Sequence, residues 1–458
     1  MAKLGKSELF LGVDVGGTKV YAALVKKSGR IAGRARRPTP KNAAPEVVLS
    51  AIFQTIEDLL ARKDLKPKSI SAIGLAIPGV VDPEAGLVVE APNINLSGQD
   101  VVAPMEEHFD IPVTLGNDVN LGMLGEKWLG AAQLAQSAVG IFVGTGIGGG
   151  IIMDGKLVRG ASESAGEIGH MVIQPNGPPC GCGARGCLEA LASRSAIERE
   201  IRAAVASGRR TILKRMTRGD MGTIKSSMLK RALDKNDTLA AEIMRKAAEH
   251  LGLACINIRH VLDPDVIVLG GGVIEACGDY ILPIVEKIVA ADLLKGARPG
   301  GRIVRSALGD DAVALGAASL AQELVGRTPL EDILKELPEY PDITYTTFGE
   351  VAIGKKVYKM DIYIRGDGKV KKRDKPAVKK QYGTSHKIGP EELEKVCKGN
   401  PEVLIIASGH TGLCALTPEG EEFLRSRGIA FQALPSPRAI RAYNRVRSRK
   451  AVIVHVTC

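Results

Sequence analysis

Between Gly166 and Ala190 the chain reads GEIGHMVIQPNGPPCGCGARGCLEA, which places Cys180, Cys182 and Cys187 within eight residues of one another. His170 lies ten positions before the first thiol, and Glu167 and Glu189 stand near the two ends of the stretch. Three thiolates and one imidazole form a Cys₃His set, a structural zinc combination with no position left for water. The spacing is not a CxxC pair, so on spacing alone unrelated thiols are an equal alternative. The other five cysteines are scattered, and the N-terminal MAKLGKSELFLGVD has no apolar segment with a cleavage site. The cluster therefore reads as metal ligands in a reducing cytoplasm rather than as a disulfide framework.

A second group of residues has phosphate chemistry. DVGGTK (14–19) offers Gly16 and Gly17, whose backbone N–H groups can approach an anion closely. Asp14 adds a carboxylate for a metal, Thr18 a hydroxyl and Lys19 a cation. The motif joins two strand-like runs, so neither the dinucleotide fingerprint nor the Walker loop applies. Taken alone, such a turn is an ordinary hairpin. The device recurs, however, in GTGIGGG with Thr145 and Gly146, and in VLGGGV with Gly270, Gly271 and Gly272. Three glycine loops at strand ends predict a cleft for a nucleoside triphosphate. Asp118 follows the strand-like IPVTLGN, where a carboxylate could orient a hydroxyl and accept its proton. Asn117-Asp118 is equally a helix cap for VNLGMLGEKWLG, and the two roles are compatible.

The elements around these residues alternate between strand and helix patterns, which predicts an α/β fold. ELFLGVDV (8–15) and KVYAALVKK (19–27) are strands. Residues 45–63 place Val48, Ile52, Ile56, Leu59 and Leu60 on one helical face. LGVDVGGTKVYAAL and IFVGTGIGGGIIMDG share a strand–loop–strand theme, a weak internal repeat that suggests a duplicated lobe. A long helix at 237–262, a strand–glycine unit at 265–274 and a helix at 310–325 follow. The reading divides the chain into lobes at 1–118 and 119–326, a linker at 327–342 and a tail domain at 343–458, with the helix 310–325 free to pack back on the first lobe.

Composition narrows the function. Aromatics make up only 3% of the 458 residues, which argues against base stacking as the main business. The net charge of +11 is uneven: residues 341–458 hold 22 Lys/Arg against 12 Asp/Glu, leaving 40 against 39 for the rest. Basicity belongs to the tail, so overall charge gives no case for nucleic acid. Trp128 to Met153 is uncharged for 26 residues, but its glutamines and glycines read as strand, loop and strand rather than a membrane span.

DVGGTK (14–19), IPGVVDPEAG, APN (91–93), GND (116–118), VGTGIGGGI, AGEIGH (165–170), CGCGARGCLE (180–189) and LDPDVIVLGGGV occur in the order found in the ROK family, which residues 8 to about 325 resemble. The resemblance implies two ribonuclease-H-like lobes of the actin and hexokinase type around a nucleotide cleft. It implies phosphoryl transfer from ATP to a sugar hydroxyl, with Mg²⁺ on the phosphates and Asp118 as general base. By the same resemblance Asn93, Asn117, Asp118, Glu167, His170 and Glu189 contact the sugar. Asp14, Gly16, Gly17, Thr18, Lys19, Thr145 and Gly146 meet the phosphates, and Gly270, Gly271 and Gly272 lie toward adenosine. His170, Cys180, Cys182 and Cys187 hold structural Zn²⁺, folding a loop that has no core of its own. Glucose fits this set best, with N-acetylmannosamine, N-acetylglucosamine or fructose behind it, and a homodimer is usual. One departure is the loop after APN, INLSGQDV, which lacks the tryptophan common in the family's glucokinases. The family's repressors carry a helix-turn-helix ahead of this fold, and about eight residues precede the first strand here, so no nucleic-acid partner is expected. A sugar sensor without catalysis is the remaining alternative.

Residues 346–458 resemble a second, small family, the Mth938-like domain, through FGEVAIGKKVYKMDIYI, YGTSHKI (382–388), PEVLIIASGHTGLCAL, SPRAIRAYNRV and HVTC (455–458). No reaction is implied. His386 and His410 sit in loops that could line a small-ligand pocket or simply end strands. KVKKRDKPAVKK reads as a solvated loop, and Cys458 as a packing residue.

Overall fold

Val48, Ile52, Ile56, Leu59 and Leu60 are all buried on one face of a helix, and the sheet they cover is the first of two with the same plan. The computed structural model describes residues 9–133, 135–217, 219, 221–294, 302–330, 338–409, 412–446 and 449–456. His410, Cys458 and part of the linker 327–342 lie outside the described residues. The chain divides into two compact units, Met1–Asp332 and Ile333–Cys458.

The first unit opens with β1 (Leu9–Val15), β2 (Lys19–Lys26), β3 (Ile31–Pro38) and α1 (Pro45–Arg62). β4 (Ala72–Ile77) is followed by the short strands β5 (Val80–Asp82), β6 (Leu87–Glu90) and β7 (Gln99–Asp100), then α2 (Val102–Phe109), β8 (Val113–Asn117) and α3 (Asp118–Leu129). The main sheet runs β3-β2-β1-β4-β8, with β1–β3 antiparallel and β1, β4 and β8 parallel. The second half contributes β9 (Ala138–Val143), β10 (Ile147–Met153) and β11 (Lys156–Leu157). Helices α4 (Leu188–Ala192), α5 (Arg194–Ala206), α6 (Ile212–Met216), α7 (Ser226–Asp234) and α8 (Thr238–Leu262) follow. β12 (Val266–Gly270), α9 (Gly272–Ala290), β13 (Arg302–Arg305) and α10 (Ala312–Leu324) complete it. Its sheet, β11-β10-β9-β12-β13, repeats the first in order and in strand direction. The faint repeat in the sequence is thus a repeat of topology, two ribonuclease-H-like lobes.

Close backbone contact joins the lobes. α10 lies on β1 and β4 so tightly that a Cβ on Gly12 would stand 1.8 Å from the Ala314 carbonyl oxygen, and one on Gly74 2.0 Å from that of Ala317. It crosses α3 just as closely, with Gly316 against Leu121 and Gly125 against Ala312. The stretch 128–153 is the end of α3 followed by β9 and β10, and no described helix is long and apolar enough to cross a membrane.

In the second unit a five-stranded sheet takes the order Val370–Lys372, Ile362–Ile364, Lys450–Val454, Val403–Ala407, Ala430–Leu434. Side-chain alternation along the strands feeds two cores. Ile405, Val452 and Val454 face Ala439, Ile440 and Tyr443, while Leu404, Ile406 and Ile453 face Leu393, Val396 and Leu424. The basic run KVKKRDKPAVKK corrects the sequence reading. Val370–Lys372 is a strand, Lys375–Tyr382 a helix, and Arg373 between them is wholly buried rather than solvated. Its lysines do face solvent, but Arg373 turns inward because buried carboxylates wait for it there.

Candidate active site and metal centre

The first glycine loop is a hairpin between β1 and β2. Gly16 N–H donates to the Lys19 carbonyl at 2.9 Å, and Thr39 ties the turn through the carbonyls of Gly16 and Thr18. Asn93 lies over it: a Cβ on Gly17 would meet the Asn93 carbonyl oxygen at 3.1 Å. Lys19 Nζ is 3.1 Å from Asp310, which Arg36 also reaches at 3.2 Å. The second loop, between β9 and β10, is held from below by the start of α5. Arg194 N–H donates to the Gly144 carbonyl at 3.0 Å, its guanidinium to Thr145 Oγ1 at 2.7 Å, and Ser195 Oγ to the Thr145 carbonyl at 2.8 Å. The third loop ends β12. Gly271 has φ +83° and would push a Cβ to 2.7 Å from the Val143 backbone, so only glycine fits. Gly272 then begins the 19-residue α9, whose amino end carries the positive pole suited to an anion. β9 and β12 are parallel neighbours, with Gly270 opposite Phe142, so the second and third loops emerge side by side.

Asp118 stands just beyond β8. Strand pairing sets Asp14 beside Ala76 and Ile77 beside Asn117, so Asp14 and Asp118 leave the same sheet end two strands apart, roughly 10 Å. Asn117 is the helix cap: its Oδ1 accepts from Val119 and Asn120, while Nδ2 donates to the Gly79 carbonyl at 2.9 Å. That leaves it at most one amide hydrogen for a ligand. Asp118 is the first helical residue and accepts the Val119 N–H at 2.9 Å. Burial pushes its pKa up to about 6, and the charge of Glu167 adds to the rise. Asp14 is pushed up to about 7 by burial and by Asp118, against the pull of Lys19.

The ligand atoms of His170, Cys180, Cys182 and Cys187 all lie within 4.8 Å of one another. Cys182 and Cys187 sulfurs are 3.8 Å apart, and Cys180 Sγ is 3.6 Å from His170 Nδ1. The edge of a zinc tetrahedron with ~2.3 Å Zn–S bonds is roughly 3.8 Å, a length these two pairs match, and the donor set is one suited to zinc. The surrounding loop is short of core but rich in turns. Cys180 N–H bonds the Ala184 carbonyl, Gly186 N–H bonds Pro178, and a Cβ on Gly186 would meet the Gln174 oxygen at 1.7 Å. The other ring nitrogen of His170 is 3.9 Å from the Glu167 carboxylate, which is 59% exposed at the mouth. Glu189, at the start of α4, reaches the beginning of β10. Its Oε2 accepts the Ile147 N–H at 2.9 Å, and its Oε1 is 3.8 Å from Cys180 Sγ.

Three groups that pattern reading passed over also shape the site. Arg194 and Ser195 brace the second loop. Asp310 pairs with Lys19, and Asp311 receives Arg34 and the Tyr21 hydroxyl. Buried Glu126 takes the Ser306 hydroxyl at 2.6 Å and the N–H groups of Ala131, Ala307 and Leu308, fixing the turn that leads into Asp310. A glutamate on an otherwise buried helix face was the available signal.

Residues 10–324 match the ROK family, and residues 343–456 match a protein of unknown function (DUF498/DUF598), the Mth938-like domain. The chain is 32% identical over 315 residues to a glucokinase of Halalkalibacterium halodurans, covering 69% of this chain and 95% of that one. It is 33% identical to a glucokinase of Thermotoga maritima, covering 69% and 98%. It is also 30% identical to the N-acetylglucosamine repressor of Escherichia coli O6:H1, covering 68% and 75%. Among solved structures, a ROK family glucokinase from Streptomyces griseus in complex with glucose and AMPPNP superposes with a TM-score of 0.62 at 31% identity, covering 69% and 99%. A match that runs from residue 10 to residue 324, and glucokinase relatives about a third identical over nearly their whole length, show that this chain belongs to the ROK family.

Proposed function

We propose that the chain is a sugar kinase that transfers the γ-phosphoryl group of ATP to a hexose hydroxyl, with glucose preferred and Asp118 as the general base. The observation that carries this reading is the pairing of Asp14 and Asp118 at one sheet end, a gap suited to a phosphoryl group and the hydroxyl that attacks it. A base with a pKa near 6 is ionised at neutral pH yet basic enough to take the hydroxyl proton as the bond to phosphorus forms. Glu167 is near enough for its charge to act on Asp118, His170 is 3.9 Å from Glu167, and vicinal sugar hydroxyls would donate to both. Asn93, between β6 and β7, lies over the first loop.

The glycine loops supply backbone N–H groups for the phosphates, with Lys19 as a mobile cation once it leaves Asp310. Asp14 is buried with Asp118 and Asp310 as negative neighbours, and a bound Mg²⁺ would relieve the cost of ionising it there. When bound, that ion would neutralise phosphate charge; Asp14 would hold it directly or through water. His170, Cys180, Cys182 and Cys187 would hold zinc in a structural role, fixing the loop that presents Glu167 and Glu189. The chemistry remains with the chain's own carboxylate.

The glucokinase relatives and the glucose complex support the choice of hexose, and a homodimer is proposed on the family's habit. The test is turnover by the full-length protein with ATP, Mg²⁺ and glucose, N-acetylmannosamine, N-acetylglucosamine and fructose. ADP release fastest with glucose supports the reading. Release with another sugar alone corrects the substrate, and sugar binding without ADP release would place the chain with the family's non-catalytic sensors.

A further inference from the structure

Asp361 is wholly buried and shared. Its Oδ2 lies 3.6 Å from Arg373 Nη1 and 3.6 Å from Lys375 Nζ, and it hydrogen-bonds His455 Nδ1 at short range. Its Oδ1 accepts the Val456 N–H at 3.0 Å. Arg373 grips Glu392 with two bonds of 2.7 and 2.9 Å and donates to the carbonyls of Ser385 and Lys387, both at 3.0 Å. It thereby pins the backbone on either side of His386. The His386 and His455 rings meet edge to face with centroids 5.1 Å apart, and His386 Nδ1 is 2.9 Å from Thr384 Oγ1.

A small unit gains little stability from such a network, since taking charges out of water costs more than apolar filling of the same space. The network does fix two imidazoles: Asp361 sets His455, and Arg373 sets His386. They stand at a telling place. Val403–Ala407, Ala430–Leu434 and Lys450–Val454 are parallel, and Ser408 and His455 directly follow two of them. Ligands of open α/β sheets bind at the carboxyl ends of the strands.

The chemistry of a ligand follows from what faces outward. Asp361 and Glu392 are buried behind, whereas Lys375 is about a third exposed and His386 half-buried. Burial and the neighbouring His455, Lys375 and Arg373 hold His386 below its ordinary pKa, as expected in positive surroundings. Three of the exposed large apolar side chains described in this unit lie on the segments that build the cluster. Met360 precedes Asp361, Leu413 precedes Cys414, and Phe348 precedes Gly349, whose N–H bonds the Val456 carbonyl at 2.7 Å.

We propose that the C-terminal unit carries a second binding site, built on Asp361, Arg373, Lys375, His386 and His455, that takes a small organic anion. The anionic head meets Lys375 and His386, and the apolar body meets Phe348, Met360 and Leu413; a few placed polar groups beside apolar lining is the usual make-up of such sites.

The test uses full-length protein with isotope-labelled histidine imidazoles, titrated with octanoate, acetate, octan-1-ol and inorganic phosphate and read by NMR. Octanoate should shift the His386 and His455 signals saturably, and acetate and phosphate should bind at least tenfold more weakly. Octan-1-ol, the same body without the charge, should leave both signals in place. Lys375→Met, a change at a partly exposed position, should weaken octanoate at least tenfold while thermal unfolding stays unchanged, and His386→Gln should do the same. Unmoved histidine signals, wild-type octanoate affinity in both variants, or phosphate binding as tight as octanoate would each overturn the proposal.

Discussion

Glu189 Oε2 accepts the Ile147 N–H at 2.9 Å, so the residue two positions after the last zinc-type thiol holds the strand that leaves the second glycine loop. The same segment continues into Arg194 and Ser195, which brace Gly144 and Thr145. Metal loop, α4 and phosphate-type loop are one mechanical run. Removing the metal should therefore loosen both substrates. Cys182→Ser, or treatment with a strong chelator, is expected to raise the KM for hexose by tenfold or more and that for ATP by a smaller factor. Metal analysis alongside the kinetics checks it: full zinc occupancy in the variant, or an untouched KM for ATP, contradicts this coupling.

Asp118→Asn should abolish turnover and leave hexose affinity within about tenfold, because it removes a proton acceptor and keeps the shape. The same change should stabilise the fold. The folded pKa of about 6 lies above the unfolded 3.8, so the ionised carboxylate destabilises the folded state at pH above 6, and this penalty vanishes below 3.8. The gain in Tm of the Asn variant over the parent should thus be larger at pH 8 than at pH 4.5. Its backbone bond from Val119 survives, since an amide oxygen accepts as a carboxylate does. An Asn variant that turns over, or that melts earlier at pH 8, removes Asp118 from its assigned place.

Catalysis should show the same titration. Only the ionised form accepts a proton, so kcat/KM should fall tenfold per pH unit below about 6 rather than near the ordinary carboxylate value of 3.8. Saturating Mg²⁺ and a coupled assay verified at each pH isolate this limb. A flat profile down to pH 5 assigns the proton to another group.

What the sequence disclosed was local chemistry. Gly16, Gly271 and the Cys₃His set announce themselves because a turn, a helix start and a metal loop each need particular residues within a few positions. Asn117 as a cap was equally visible. The contacts that organise these pieces span the chain, and pattern does not say which partner each residue meets: Glu126 reaches Ser306, Asp310 reaches Lys19, and Asp361 reaches His455, ninety-four positions away. Arg373 shows the cost of reading charge runs as surface, for one member of a basic run can turn inward when a buried Glu392 receives it.

Glycines inside helices look alike in a pattern and differ in the fold. Gly122 and Gly125 share α3, yet a Cβ on Gly122 would meet Val313 at an ordinary 3.5 Å, whereas one on Gly125 would stand 2.1 Å from the Ala312 carbonyl oxygen. Gly316, across the crossing, is tighter still at 1.7 Å from Leu121. Gly122→Ala should stabilise the protein by up to about 1 kcal/mol, the intrinsic preference of alanine over glycine in a helix. Gly125→Ala and Gly316→Ala should each destabilise by about 1–3 kcal/mol or more, because the opposing atoms are backbone and both helices must separate. Since α10 also packs on β1 and β4, that separation loosens the joint between lobes, and kcat should fall with Tm in the last two variants alone. Denaturant unfolding of the three variants, paired with kinetics, checks the contrast; a Gly316→Ala protein as stable and active as the parent would falsify the tight crossing.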